Sequence, residues 1–155
     1  AITGSASAVT AVTTNITDPP YPRNLTVTPG GTTADVAACS VTITGTNING
    51  DVISEDFAFL ANASTAKTGA KAFKTVTSIS IPQQDGAAAT FTIGFGDKLG
   101  LPYMFDEKPI GFASDDGVIE STAPTWTFDA DEIEKNTVDL NSAMDGSVID
   151  IYMFV

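Results

Sequence analysis

The run IGFGDKLGLP, residues 93–102, has the glycines and the neighbouring charges of a loop that cradles phosphate. Such a loop works when it follows a strand and opens a helix, because the helix's first amides and its dipole hold the anion. A strand does precede it. AATFTIGFG alternates with period two and sets Ala89, Phe91, Ile93 and Phe95 on one side. No helix follows. Pro102 arrives four residues after Lys98, and no helical period appears beyond it. Gly94, Gly96 and Gly100 therefore read as bends and a bulge at a sheet edge.

Two further groups of charged residues have chemical potential. DADEIE places Asp129, Asp131, Glu132 and Glu134 close enough to offer oxygen ligands to a hard cation. It lacks the spacing and the glycine of a calcium loop, so a solvated turn is the expectation. Glu55 is different. In VISEDFAFL it shares a face with Ile53, Phe57 and Phe59. A carboxylate on an apolar face needs a partner, and Arg23, Lys71 and Lys74 are the candidates for a structural or interface salt bridge.

The chain has no histidine and one cysteine. The missing imidazole removes Ser–His and Cys–His nucleophile pairs and the usual nitrogen metal ligands. Cys39 lies in the apolar stretch VAACSVTI and reads as a small core residue. A single cysteine cannot form an intrachain disulfide. The expectation is a protein with no catalytic residue, no metal and no cofactor.

The elements that position these groups are strands. The 155 residues suit one domain with its own core. LTVT, VTIT, DFAF, TVTSISI and FTIGF alternate, and PGG, TNINGD and QQDG punctuate them. Strands on either side of Asn49-Gly50 predict a hairpin. PGG at residues 29–31 predicts a turn. Residues 61–72 are rich in Ala, Ser and Thr and predict a connecting loop, with AFKTVTSISIP as one strand after it. SDDGV and MDGSV predict Asp-Gly turns, and DADEIEKNT a single helical turn. APTWTFDAD predicts a strand with Trp126 and Phe128 on one face. DGSVIDIYMFV, apolar on both faces, predicts a strand that is central in a sheet or covered by a partner. The fold expectation is all-β: a β-sandwich-like or related β-barrel body, residues 23–155, with an extended N-terminal arm and Pro-rich hinge at residues 1–22.

Net charge is −12, from 7 basic and 19 acidic residues. That balance argues against nucleic acid and anionic membrane as partners, since both need cationic contacts. No apolar run approaches the length of a membrane span.

PPYPRNLTVTPGG, VTITGTNINGDVISEDFAF, TGAKAFKTVTSISIP, IGFGDKLGLPY and NTVDLNSAMDGSVIDIYMFV together resemble a group of small proteins of tailed bacteriophages and prophages. These are virion components of the head, of the capsid-decoration (cement) kind. The likeness covers residues 18–102 and, more loosely, the last twenty. It implies a non-enzymatic structural protein that binds the outside of an expanded capsid, with the major capsid protein and its own copies, as a homotrimer, as partners. It implies a location on the virion, after assembly in the bacterial cytoplasm. It also implies an interface at Pro20, Tyr21, Pro22, Arg23 and Asn24, and an arm of residues 1–23 ordered only against another chain; Glu55, a carboxylate on an apolar strand face, is a further interface candidate. Two alternatives stand beside it. One is a tail-tube or head–tail joining protein. The other is a carbohydrate-binding adhesion β-sandwich, which needs an accessible Trp126.

Overall fold

A computed structural model describes residues 1–142, 144 and 146–154. Asp145 of the MDGSV turn and Val155 of the final strand lie outside the described residues. The described strands are β1 (Ile2–Thr3), β2 (Thr10–Val12), β3 (Arg23–Gly31), β4 (Cys39–Thr46), β5 (Val52–Phe59), β6 (Lys67–Phe73), β7 (Thr75–Ile81), β8 (Ala89–Gly100), β9 (Ile110–Asp115), β10 (Val118–Ile119), β11 (Thr125–Thr127), β12 (Thr137–Asp139) and β13 (Ile149–Phe154). The only helical pieces among the described residues are 3₁₀ turns at Thr33–Asp35 and Ile133–Lys135. The fold is all-β, as the alternation predicts.

Three antiparallel sheets form. One runs β2-β7-β4-β5, one runs β11-β12-β8-β3-β6 with β1 also on β8, and the smallest runs β10-β9-β13. β8 is twelve residues long, and its edge opposite β3 serves two neighbours. Its first residues pair with β1 and its last with β12. Two strand sets, β2-β7-β4-β5 and β6-β3-β8-β1, wrap one core of Leu25, Val41, Ile43, Phe57, Phe73, Phe91 and their neighbours. A second core of Leu101, Phe105, Trp126, Val138 and Leu140 lies beside it, and the inward residues of β13 pack against it.

The barrel-like ring around the first core has two seams without a continuous ladder. Across the β5/β6 seam, Glu55 accepts hydrogen bonds from the backbone N–H groups of Ala70 (2.6 Å) and Lys71 (3.4 Å). The second seam is closed by the N-terminal residues. β1 joins β8, β2 joins β7, and Gly4 and Ser5 between them bond to Ala89 and Gln84. The expected free arm is thus corrected. Residues 2–12 lie on their own chain, because Ile2, Val12 and Ile16 cover apolar side chains of the first core.

Other sequence expectations meet the structure residue by residue. The hairpin β4–β5 forms, with Gly50 at φ 91° and the Asn47 side chain accepting from the N–H groups of Asn49 and Asp51. SDDGV turns the chain from β9 to β10, with Asp116 and Gly117 at positive φ. PGG does not end its strand, which is a correction. β3 continues through Pro29 and Gly30 to Gly31, paired with β8. Pro29 lies beyond the end of β6, so its missing N–H leaves no ladder bond unmade. Residues 61–72 are not all loop, since β6 begins at Lys67 by pairing with β3. Nor is AFKTVTSISIP one strand. It breaks at Lys74, where the chain leaves one sheet for the other and the Lys74 N–H bonds to Thr46. β13 is not central. It is the edge of its sheet.

Candidate docking surface

The residues with chemical potential are first tied into the fold. Arg23 and Asn24 begin β3 where its register against β8 shifts. Asn24 is 0% exposed; its amide donates to the Gly69 carbonyl (2.9 Å) and its oxygen accepts from the Lys98 N–H (3.0 Å). Gly96 is the residue that leaves room, since a Cβ there would run into the Asn24 side chain. Arg23 is buried, and its Nε donates to the Gly96 carbonyl at 2.8 Å. Its guanidinium lies over the Tyr21 ring, 5.5 Å from the centroid. The glycines of residues 93–102 thus accommodate an irregular β3/β8 pairing. Pro20 and Tyr21 are exposed and Pro22 is half-buried. Burial takes Asn24 out of any surface, and leaves Pro20 and Tyr21 as what this corner presents.

Glu55 is half-buried, and its clasp is to backbone, which corrects the expected salt bridge. Burial pushes its carboxyl above the usual glutamate value, and the Ala70 and Lys71 amides and the Lys71 and Lys98 charges only partly offset that. Lys71 turns elsewhere. Its Nζ bonds Glu132 (2.9 Å) and Glu134 (3.2 Å) on the 3₁₀ turn. Burial alone would lower the lysine, but hydrogen bonds to the two carboxylates outweigh it and hold the ammonium above its usual value. Glu134 is nearly buried, between Lys71 and the amide of Asn47. Lys135 pairs with Glu132 and Asp129. The Lys135 and Lys71 hydrogen bonds hold Glu132 below the usual range, and the N–H groups of Asp131 and Glu132 do the same for Asp129. DADEIE is therefore a turn balanced by lysines. Among the described residues, no cluster of acids, cysteines or histidines suited to a metal ion is present.

The aromatic residues divide. Phe57, Phe59 and Phe91 are core, and Trp126 is only 7% exposed, so it offers no stacking platform for a sugar ring. One group of exposed apolar side chains lies on the small sheet. In β13, Ile149, Ile151 and Met153 face the second core, so Asp150, Tyr152 and Phe154 face out. The register puts Ser114, Phe112 and Ile110 of β9 beside them, with Ile119 of β10 beside Ser114. Ile110 is 68% exposed, Phe154 67%, Ile119 62% and Tyr152 48%, and the Phe112 and Tyr152 rings stack at 4.7 Å. A groove lined by Tyr103, Met104, Ile110 and Phe154 runs along one end of this face. Contiguous apolar surface of this kind marks interaction sites on folded proteins.

No residue of this face was among the interface candidates at Pro20–Asn24 and Glu55. The signal was present in the sequence. VIDIYMF is apolar at successive positions, so a strand made from it must show apolar side chains on both faces. Among the described residues no helix is long and apolar enough to cross a membrane. Comparison with protein-family models, with curated proteins and with solved structures finds no match for this chain.

Proposed function

We propose that this chain is a non-enzymatic structural protein of a bacteriophage virion, a head decoration protein that binds the outer capsid surface and stabilises contacts between major capsid subunits. The virion assignment comes from the resemblance of residues 18–102 to such proteins. One observation supports a scaffold role: the charged groups singled out for their chemistry, Glu55, Arg23 and the Glu132–Glu134 pair with Lys71, are engaged in holding the fold. Glu55 bridges a seam, Arg23 anchors a strand irregularity, and Lys71 ties β6 to the Ile133–Lys135 turn through Glu132 and Glu134. Many copies on one shell would add weak contacts into firm attachment.

Co-sedimentation with expanded, undecorated phage heads tests the reading. Saturation at a fixed number of copies per capsid subunit, on expanded shells and not on precursors, is the expected result. Rings or tubes formed by the purified chain alone would instead favour a tail-tube role. The sugar-binding alternative loses Trp126 as its stacking ring, since that side chain is buried.

A further inference from the structure

We propose that the free edge and outward face of β13 receive an extended segment of a partner protein, which adds to the small sheet as a further strand and carries Lys or Arg at both ends. The inference stands on β13 and does not depend on the virion reading.

β13 pairs with β9 along all six of its residues, and no described strand lies on its other side. An open edge presents a row of backbone donors and acceptors ready for another chain. Natural edges are blunted by bulges, prolines, inward charges or short length; β13 is regular and carries one charge, Asp150. The same strand lays Tyr152 and Phe154 onto the exposed face, next to Phe112 and Ile110. A strand added here gains ladder hydrogen bonds from the edge and side-chain packing from that face.

Charge defines the partner. Asp150 of β13 and the Asp115–Asp116 turn mark one end of the sheet. Asp106, Glu107 and Lys108 line the groove at the other end, beside Phe154, two acids to one base. Lys108 is the one basic residue between Lys98 and Lys135, and none follows Lys135. An apolar strip with a net acidic group of side chains at each end suits a strand with cationic flanks. A second copy suits it poorly. Antiparallel pairing of two β13 edges would set the Asp150 end of each against the Asp106–Glu107 end of the other, and each chain brings a net charge of −12.

The probe is a short synthetic peptide of alternating Val and Thr with a pair of Lys at each end. It is titrated into the full chain while the amide resonances of Ile149–Phe154 are followed by NMR. The expected result is shifts and slowed hydrogen exchange along β13, with affinity falling on the order of tenfold between about 0.02 M and about 0.3 M salt. A peptide with Glu flanks, and one N-methylated on alternate residues, leave β13 unchanged. Asp150→Lys weakens the Lys-flanked peptide several-fold while leaving thermal unfolding unaltered. The proposal is overturned by no response of β13 to the Lys-flanked peptide, or by an equal response to the Glu-flanked one. Binding of the N-methylated peptide would mean side-chain docking without strand addition, and overturns it too. Concentration-dependent dimerisation lost in Tyr152→Asp would assign the edge to a second copy.

Discussion

The carboxylate of Glu55 on β5 takes a hydrogen bond from the N–H of Ala70 on β6 at 2.6 Å, across a seam where the two strands share no ladder. One side chain does there what a row of backbone bonds does elsewhere. The geometry favours the ionised form, but burial works against it more strongly and the carboxyl sits above its usual value. The folded state then binds this proton more tightly than the unfolded state. Its contribution is complete below the ordinary glutamate value and is lost as pH rises through the raised one. Glu55→Gln should flatten that part of the stability profile, while staying within about 1 kcal/mol of the parent at neutral pH because the amide oxygen can still accept from Ala70. Urea midpoints across the carboxylate range measure this, and an unchanged profile would assign the slope to other acids.

Gly69 is the complement of Glu55. A Cβ on Gly69 would overlap the Glu55 carboxylate and come within 3.0 Å of the Phe57 ring. Gly69→Ala should therefore destabilise by about 1–2 kcal/mol, by pushing Glu55 off its amides. In a Glu55→Ala background the same substitution should cost clearly less, since the displaced group is gone. Strict additivity in this double-mutant cycle would show that the two positions do not share the seam.

Local rules made the hairpin and the buried faces legible. Asn49-Gly50 sits between the alternating runs that hold Val41 and Ile43 on one side and Phe57 and Phe59 on the other, so local propensity and turn chemistry decide the outcome. The errors have long-range causes. PGG looks like a turn until β8 supplies a pairing partner, and β6 is poor in strand formers until β3 lies beside it. Glu55 reads as a buried acid in need of a partner, and Arg23, Lys71 and Lys74 point to a salt bridge, but its donors are backbone amides of a strand distant in sequence. For β13, apolar residues on both faces suit a strand that is either central in a sheet or covered by a partner. Whether it stood at the centre or the edge was settled by where β9 and β10 ended up.

Lys71 on β6 and Glu134 on the Ile133–Lys135 turn are tied by an ion pair at 3.2 Å. Glu134 keeps 8% of its side-chain exposure and Lys71 20%, so neither is freely hydrated. Lys71→Met should cost about 2–4 kcal/mol, because it leaves a nearly buried carboxylate without its cation. Adding Glu134→Gln should restore part of the loss by removing that stranded charge. Since the Lys71 value is raised, its contribution is present through neutral pH and disappears as pH rises past the usual lysine range. Thermal melts of the single and double variants at neutral and strongly alkaline pH test both statements. A double variant no better than Lys71→Met would mean the lysine acts through packing alone.

Asn24 makes a sharper test of whether the Pro20–Asn24 corner is structural. Its side chain satisfies the Gly69 carbonyl and the Lys98 N–H from a fully buried position. Asn24→Ala should destabilise by about 2–4 kcal/mol, since both backbone groups lose their partner where water does not reach. Tyr21→Ala, on an exposed ring, should cost less than about 1 kcal/mol. If Tyr21→Ala abolishes binding to phage heads at unchanged stability, this corner is an interface. If it changes neither, the corner only folds.

Removing residues 1–18 separates an arm from a structural strap. An arm reserved for a neighbour can be deleted with the body intact. In this fold Ile2, Val12 and Ile16 pack on the first core beside Leu25, Ile79 and Phe91, and Asp18 accepts from the Val76 N–H at 2.8 Å. Three partly buried aliphatic side chains are worth about 3–5 kcal/mol together by the area they keep from water. That is a large share of the roughly 5–15 kcal/mol that holds a domain of this size. The truncated chain should unfold at much lower urea than the parent and bind a hydrophobic dye at its open seam. Val12→Asp, which keeps the backbone, should do the same to a smaller degree. If the truncated chain unfolds at the parent's midpoint, the seam needs no strap, and the N-terminal residues become free to serve a partner.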